Sequence, residues 1–210
     1  ALVDVTAATQ AAIDSLPRGG VVLAPDGVYR WDDQLIPPVG VPITIRGSGV
    51  RTEPNGTSGS FTGTEFRSML RDGTSPAIMV GTTTNDYSKF VMENLYLSGG
   101  TNAEVLAGVG QGGSAVGNFV GLHIKQRHGW ELRNVRIAGF DTDGVRLEDS
   151  FYGAAYTSDF LLNGTGVNGF SAANVDGFYN CKFQYNVFGT KNIQNTFGCS
   201  WEGQWKSGAY

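Results

Sequence analysis

Four three-residue segments repeat one pattern in the second half of the chain: Val135-Arg-Ile137, Phe160-Leu-Leu162, Cys181-Lys-Phe183 and Cys199-Ser-Trp201. Each segment has an apolar residue at its first and third positions, which is the alternation expected of a half-buried strand. The segments begin at positions 135, 160, 181 and 199, so they return at similar but irregular intervals. An earlier segment, Leu95-Tyr-Leu97, precedes the first by a longer interval, which fits either two coils or one coil with a long loop.

A second series of short segments runs alongside the first. Its members are Gly121-Leu-His-Ile124, Gly144-Val-Arg-Leu147, Gly169-Phe-Ser-Ala172 and Gly189-Thr-Lys191. Two strand series that return together about every 20 residues indicate a solenoid with two or three short strands in each coil. The spacing is too short for the four-stranded blades of a propeller.

The composition supports a chain of strands and turns. Gly makes up 31 of the 210 residues, about twice the usual share, while Pro makes up only 7, which argues against collagen and disorder. The net charge of −4 argues against a nucleic-acid partner, and no apolar run is long enough for membrane insertion. Cys181 and Cys199 share one position of the first series, so we expect them to stack inside the coil, with a disulfide between adjacent coils as the alternative.

The start of the chain has a different character. Residues 1–20 are predicted to form a helical segment that covers the open end of the coil, with Thr6 or Thr9 as its N-cap and an end at Pro17. Its apolar residues recur at helical spacing: Ala8, Ala11, Ala12, Ile13 and Leu16. Residues 21–210 are predicted to form the coil, interrupted by Gly-rich loops at 51–63 and 98–118.

The opening also resembles a known superfamily. The segments that carry the resemblance are Asp4-Val-Thr6, Gln10-Ala-Ala-Ile13, Gly20-Val-Val-Leu-Ala-Pro25-Asp-Gly27-Val-Tyr29 and Ile43-Thr-Ile-Arg-Gly47-Ser-Gly49. They are similar to the start of the pectate-lyase-like right-handed parallel β-helix superfamily, and most of all to bacteriophage tailspike and capsule-depolymerase proteins. A Tyr-Gly-Ala-x-Gly-Asp-Gly segment usually precedes that helix, and neither it nor a C-terminal cap is evident here. We therefore expect a fragment of a longer protein, truncated at its C-terminal end.

The resemblance implies an all-β, right-handed, single-stranded parallel β-helix with a short N-terminal capping α-helix. It also implies a homotrimeric protein of the virion tail that acts outside the cell on a bacterial capsular or O-antigen polysaccharide. The reaction would be that of a glycoside hydrolase or a polysaccharide lyase. The alternatives are a non-catalytic glycan-binding or structural β-helix and a secreted pectinase-like lyase.

Two groups of carboxylates are candidates for catalysis. In the first series, Asp159 takes the place of Asn134 and Asn180, while Glu202 takes that of Gln184 and Asn163. Two coils would separate Asp159 from Glu202, or about 10 Å plus a lateral offset, close to the roughly 6.5–9.5 Å of inverting glycosidases. The second group is Asp141, Asp143, Glu148 and Asp149. Asp141 and Asp143 are its catalytic candidates, and we expect no cofactor or metal, although such a cluster could hold Ca²⁺.

Aromatic residues are concentrated at the C-terminal end, where 14 of the 24 Phe, Trp and Tyr residues follow Ser150. Phe160, Phe183 and Trp201 are predicted to lie in the core. The other aromatic residues in this region that we predict to bind substrate are Tyr152, Tyr156, Tyr179, Tyr185 and Trp205. An aromatic ring offers a large rigid contact to the apolar face of a sugar, and Tyr adds a hydroxyl group. Packing in turns or at a subunit interface is the alternative.

Overall fold

The computed structural model of the 210-residue chain describes residues 2–50, 62–101, 104–105, 119–171, 173 and 176–203. These residues form a parallel β-helix, in which every described strand pairing is parallel. The elements are α1 (Thr6–Asp14), β1 (Gly20–Ala24), β2 (Gly27–Trp31), β3 (Ile43–Gly47), β4 (Thr64–Ser68), β5 (Pro76–Asp86), β6 (Phe90–Ser98), β7 (Val120–Arg127), β8 (Glu131–Ala138), β9 (Asp143–Glu148), β10 (Ala154–Tyr156), β11 (Asp159–Leu161), β12 (Thr165–Ser171), β13 (Gly177–Tyr179), β14 (Lys182–Gln184), β15 (Phe188–Lys191), β16 (Asn195–Phe197) and β17 (Ser200–Glu202).

The strands form three faces, and each coil contributes one rung to a face. Face one contains β1, β3, the first halves of β6 and β8, then β10, β13 and β16. Face two contains β2, β4, the second halves of β6 and β8, then β11, β14 and β17. Face three contains β5, β7, β9, β12 and β15.

The corner between faces one and two has the same backbone conformation on successive rungs. Its residues have φ between +49° and +55°, in the left-handed region: Asn94, Asn134, Thr157 and Asn180. Asn tolerates this conformation better than most residues, which explains why it fills three of these four positions. The polar corner turns each strand from face one onto face two.

The register confirms the predicted solenoid but corrects its alignment. Phe160 pairs with Ile137 and Phe183, not with Val135, so the equivalent positions are 137, 160, 183 and 201. The predicted alignment was wrong by two residues at this rung. Because side chains alternate with a period of two, a shift of two residues keeps every inward residue inward, and the hydrophobic pattern cannot detect it.

The second series is also confirmed with one correction. Val145 pairs with Leu122 and with Val167, so Gly166, and not Gly169, lies between Gly144 and Gly189. Leu95 pairs directly with Val135, so one coil with a long insertion explains the long interval between these two residues.

Part of that insertion is described. Val105 packs with Tyr96, Ala138 and Leu162 against the outside of face two. The other residues of the predicted loops at 51–63 and 98–118 lie mostly outside the described residues. The described part of the insertion therefore packs on face two.

The core is a set of stacked aromatic and aliphatic side chains. Phe160 and Phe183 are fully buried and stack on each other with ring centroids 5.3 Å apart. Trp201 continues this stack but is 42% exposed, so its predicted core position is only half buried on the last described rung. Cys181 and Cys199 do lie at equivalent positions and are free thiols; Cys181 is buried and Cys199 partly buried.

The corner between faces two and three contains two buried asparagines on adjacent rungs. Asn186 Oδ1 accepts hydrogen bonds from the backbone and side-chain amides of Asn163 at 2.9 and 3.2 Å. Asn186 Nδ2 donates to the Phe160 carbonyl, and Asn163 donates to the Ile137 carbonyl and accepts from the Phe140 amide. Both side chains are fully buried, so this network satisfies backbone groups that the tight corner leaves unpaired.

A column of glycines makes room for that network. A Cβ on Gly121, Gly144 or Gly166 would lie 2.6, 2.8 or 2.5 Å from the carbonyl oxygen of the next glycine in the column. The same Cβ on Gly144 would also lie 2.8 Å from Asn163 Nδ2. These contacts are too short for any side chain, so glycine is required at these three positions, whereas the β5 rung carries Ala77 at the equivalent position.

The N-terminal helix forms as predicted, but its cap differs. The N-cap residue is Val5, without a side-chain capping bond, and Thr6 lies inside the helix, where its amide and hydroxyl donate to Asp4. The predicted capping role of Thr6 or Thr9 is therefore wrong. Ile13 is the apolar helix residue that is fully buried, so the helix covers the first coil with a narrow apolar face.

We predict that replacing Asn186 with Ala destabilises the fold by about 2–4 kcal/mol, because the change leaves the buried Asn163 amide without its acceptor. Urea unfolding followed by circular dichroism measures this loss. Asn195→Ala is the control, since Asn195 is partly exposed and makes no side-chain hydrogen bond among the described residues. Equal stability of the two variants would contradict the structural role of the asparagine pair.

Asp176 is an unusual buried carboxyl group, 3% exposed, at the corner between faces three and one. Its Oδ1 accepts a hydrogen bond from the Gly153 amide at 2.7 Å, and its Oδ2 has no partner among the described residues. Burial raises the pKa of Asp176 from 3.8 to about 7, although the Gly153 hydrogen bond acts in the opposite direction. The folded state therefore retains a proton that the unfolded chain loses at lower pH.

We predict that Asp176 lowers stability as the pH rises from about 4 to about 7, because only the unfolded state releases its proton in that range. Above that range the loss is constant, at about 4 kcal/mol. Asp176→Asn keeps the acceptor for Gly153, so it should match the wild type near pH 4 and exceed it near pH 8 in urea unfolding. Asp14→Asn, on the exposed side of the helix, is the control and should follow the wild type. If the difference in the free energy of unfolding between the wild type and Asp176→Asn did not change with pH, this assignment would be contradicted.

Candidate functional site

Face one carries a column of exposed aromatic side chains on its last described rungs. Tyr156 pairs with Tyr179, and Tyr179 pairs with Phe197, so the three residues are at one position of β10, β13 and β16. Their exposed fractions are 41%, 36% and 54%. The structure thus brings together Tyr156 and Tyr179 from the predicted set and adds Phe197. We call these three residues the aromatic column.

The rings of the aromatic column stack on one another. Tyr156 and Tyr179 have centroids 5.2 Å apart and planes 13° apart, and Tyr179 and Phe197 have the same separation at 9°. Parallel rings at this distance are offset-stacked, so their flat faces contact each other and their edges meet solvent. Tyr179 also leans over Gly177, where a Cβ would lie 2.6 Å from the ring. On the other side of Tyr156, the paired residue is Arg133 of β8, whose guanidinium is bonded to Glu131.

A cavity of about 490 Å³ lies beside Tyr156, lined by Arg133, Asn134, Tyr156 and Thr157. We call it the Tyr156 cavity. Asn134 and Thr157 belong to the left-handed corner between faces one and two, which turns their side chains outward beside the ring. The cavity thus combines one flat apolar wall with a guanidinium, an amide and a hydroxyl group. This is the kind of lining that a sugar unit requires.

Charged side chains lie near the cavity on the neighbouring rungs of face one. Glu131 pairs with Lys89 at 2.5 Å and also with Arg133, while Glu93 pairs with Arg46. The carboxylate side chains are 18% and 12% exposed, whereas the three cations are 48–51% exposed. Burial raises the pKa of Glu131, but the hydrogen bond and charge of Lys89, with those of Arg133, lower it below the ordinary value overall. Glu131 is therefore a hydrogen-bond acceptor here and not a proton donor at neutral pH.

The first candidate catalytic pair is placed differently from the sequence alignment. Asp159 lies beside Arg136 and Lys182 on face two, two residues beyond the position of Asn134 and Asn180, and accepts from Arg136 at 3.0 Å. Glu202 pairs with Gln184 and accepts a hydrogen bond from its side-chain amide at 2.7 Å. The predicted equivalence of Glu202 with Asn163 was wrong by two residues, because Gln184 pairs with Leu161. Two rungs and two residues separate the two carboxylates, or roughly 12 Å between Cα atoms. This separation is close to the one expected from the sequence, and the two carboxylates accept from different donors, Arg136 and Gln184.

Asp141 and Asp143 line a second cavity, of about 350 Å³, at the corner between faces two and three. We call it the Thr165 cavity after its most buried hydroxyl residue. Asp143 is 1% exposed and accepts from Arg146 at 2.7 Å and from Asn168 at 3.2 Å. Its acceptor sites are thus occupied by fixed donors, and Asp143 is held as a structural carboxylate.

The four acidic residues of the second group do not form one cluster. Glu148 lies at the other end of β9 and binds His123 at 2.9 Å and Lys125 at 2.7 Å, while Asp149 accepts from Ser171. Within the described ranges, no three His, Cys, Asp or Glu side chains are grouped closely enough to hold a metal ion. These four acidic residues therefore do not come together as the Ca²⁺ site that the sequence allowed.

The remaining predicted aromatic residues are dispersed. Tyr152 is 69% exposed at the opposite edge of face one, and Tyr185 is 39% exposed at the corner after β14, where its φ is +54°. Trp205 lies outside the described residues. Phe197 was missed, although it follows Tyr179 by the same interval that separates Cys199 from Cys181, which could have identified it.

Comparison by sequence gives no relative for this chain: no protein-family model matches it, and no curated protein matches it. No described helix has the length and apolar character needed to cross a membrane.

Comparison of structures finds similar β-helices. The chain matches ORF18 of Geobacillus virus E2 with a TM-score of 0.69 and 17% identity, over 94% of this chain and 39% of that protein. It matches a tailspike protein of Acinetobacter baumannii bacteriophage Fri1, a capsular polysaccharide depolymerase, with a TM-score of 0.55 and 15% identity over 97% of this chain and 44% of that protein. A putative glycosyl hydrolase from Parabacteroides merdae matches with a TM-score of 0.54 and 10% identity, over 100% of this chain and 94% of that protein.

These similarities establish a tailspike-like β-helix fold. The chain spans less than half the length of the two phage proteins that it matches. At such identities the likeness concerns the backbone, so activity has to be argued from the side chains.

Proposed function

We propose that this chain is part of a phage tailspike-like protein that binds a bacterial capsular or O-antigen polysaccharide through the Tyr156 cavity and depolymerises it. The cavity that Tyr156 lines together with Arg133, Asn134 and Thr157 is the observation that carries the proposal. The similarity to a phage capsular polysaccharide depolymerase supports it at the level of the fold. Homotrimeric assembly and a place in the virion tail outside the cell belong to the same proposal.

The contacts available in the cavity suit a sugar better than a flat aromatic ligand or a peptide. One ring face can pack against the C–H face of a single pyranose, while the corner residues meet its hydroxyl groups. Asn134 donates from Nδ2 to Asn94 Oδ1 at 3.0 Å, which orients its side-chain carbonyl as an acceptor.

Asp159 is the candidate catalytic carboxylate that lies nearest this cavity in sequence, two residues beyond Thr157 on the same rung. Its side chain is 24% exposed and is bonded to Arg136. A carboxylate with an adjacent guanidinium can accept a proton from water or from a sugar carbon, and the arginine can stabilise developing negative charge. Asp159 is therefore the proposed general base, and Arg136 supports it.

A non-catalytic glycan-binding module is the second candidate function. It is favoured by one observation, that Asp159, Glu131 and Glu93 each have a cationic partner and none is paired with a second carboxylate. Glycosidases generally use two carboxyl groups on opposite sides of the bond that is cleaved. Binding and cleavage therefore need separate tests.

We predict that Tyr156→Ala weakens polysaccharide binding by at least about tenfold, or about 1.4 kcal/mol, because the sugar loses its flat apolar contact. The measurement is biolayer interferometry against a panel of immobilised capsular and O-antigen polysaccharides. Tyr185→Ala is the matched control, since Tyr185 is equally exposed but lies at a different corner. Equal losses for both variants, or none for Tyr156→Ala, would overturn the assignment of the cavity.

Cleavage is tested by incubating the chain with each polysaccharide that it binds and following chain length by size-exclusion chromatography. We expect Asp159→Asn to slow cleavage by roughly 100-fold or more while binding is retained, as for loss of a general base. Asp149→Asn, a partly exposed carboxylate bonded to Ser171, is the control. New ultraviolet absorbance from an unsaturated uronate would identify elimination, and its absence would identify hydrolysis. Binding without any cleavage by the wild type would select the non-catalytic alternative.

A further inference from the structure

We infer that the Thr165 cavity is a second saccharide subsite, which takes one neutral sugar unit. The inference deepens the proposed function and takes the kind of ligand from it. The cavity lies at the far edge of face two, and a strand segment of four residues, roughly 13 Å, separates it from the corner that holds the Tyr156 cavity. Its lining comes from three successive rungs and comprises Asp141, Thr142, Asp143, Gly164, Thr165, Asn168, Val187, Phe188 and Lys191.

The strongest sign of a ligand is an unused hydrogen-bonding group. Thr165 is 2% exposed, and its hydroxyl makes no hydrogen bond among the described residues, although its backbone amide is bonded to the Thr142 carbonyl at 2.7 Å. The Thr165 oxygen is not one of the fully buried unpaired atoms of the described residues, so it is reached from the cavity although the rest of the residue is buried. The hydroxyl lines the cavity, so a ligand in the cavity can supply a partner. Thr142 presents a second hydroxyl on the adjacent rung, and it too has no partner within the part of the chain that the structure describes.

The rung next to Thr165 contributes an aromatic ring and a cation. Lys191 Nζ lies 4.0 Å from the centroid of the Phe188 ring, which holds the ammonium group against the ring at the rim of the cavity. Asn168 donates from Nδ2 to Asp143, which orients its side-chain carbonyl as an acceptor. The cavity therefore offers two hydroxyls, an amide carbonyl, an ammonium group and an aromatic edge within about 350 Å³.

The charges around the cavity select a neutral ligand. Asp141 and Asp143 contribute −2, while Lys191 and Arg146, which is bonded to Asp143, contribute +2, so the sum is zero. A ligand with a net charge would meet no net opposite charge in this cavity. A sugar unit without a charged substituent matches both the balance of charge and the mixture of donors and acceptors.

Thr157 and Thr165 provide one reporter in each cavity, because each threonine has a γ-methyl group that can be labelled for NMR. The probes are methyl glucoside, methyl galactoside and methyl N-acetylglucosaminide, with inorganic phosphate as the anionic comparison. We expect at least one sugar to shift the Thr165 methyl resonance in a saturable manner and phosphate to leave it unchanged. A response to phosphate and not to sugars, or no response to any sugar, would overturn the inference.

Variants separate this subsite from the proposed function. Thr165→Val keeps the shape of the side chain and removes the hydroxyl, so sugar binding followed by saturation-transfer NMR should weaken about tenfold. Thr165→Ser should restore it. Tyr156→Ala should abolish the Thr157 response and leave the Thr165 response intact. Undiminished binding by Thr165→Val would overturn the subsite alone, whereas loss of both responses in Tyr156→Ala would overturn its independence.

Discussion

The structure depends on one constraint, which is that each coil must lie on the next at the spacing of hydrogen-bonded strands, about 4.8 Å. At the corner between faces two and three, the carbonyl oxygens of the next rung leave no room for a Cβ at Gly121, Gly144 and Gly166. Asn163 and Asn186 then complete the corner by bonding to backbone groups of the same and adjacent rungs. Glycine and asparagine are thus required for opposite reasons, one by the absence of a side chain and the other by its amide.

The same stacking constraint produces the candidate site. Residues one coil apart are forced into contact, so three aromatic residues at one position become a continuous stack. The stack ends at Tyr156 because the next rung places Arg133 at that position, and Arg133 is bonded to Glu131. The exposed ring at the end of the stack therefore arises from a change of residue type along the column. No special loop is needed to form it.

The sequence predicted the solenoid and its capping helix because glycine spacing and alternating hydrophobicity follow directly from the strand geometry. It could not predict the register of each rung, since a shift of two residues leaves the inward pattern unchanged, as for Phe160. This error aligned Asp159 with Asn134, whereas in the structure Asp159 is opposite Arg136 and forms an ion pair with it. Tyr156 and Tyr179 were identified as exposed aromatics, but their stacking, and the addition of Phe197, required the three-dimensional register. Likewise, Asp141 and Asp143 were found as an acidic group, whereas the arginine that engages Asp143 was not.

The most direct test of this account is a crystal structure of the chain with an oligosaccharide from a polysaccharide that it binds. The account predicts a pyranose ring packed flat on the face of Tyr156 that points away from Tyr179, with its hydroxyl groups toward Asn134 and Thr157. A sugar bound only to the ring edges of the aromatic column, or only on face three, would contradict the proposal that the end of the stack forms the binding site.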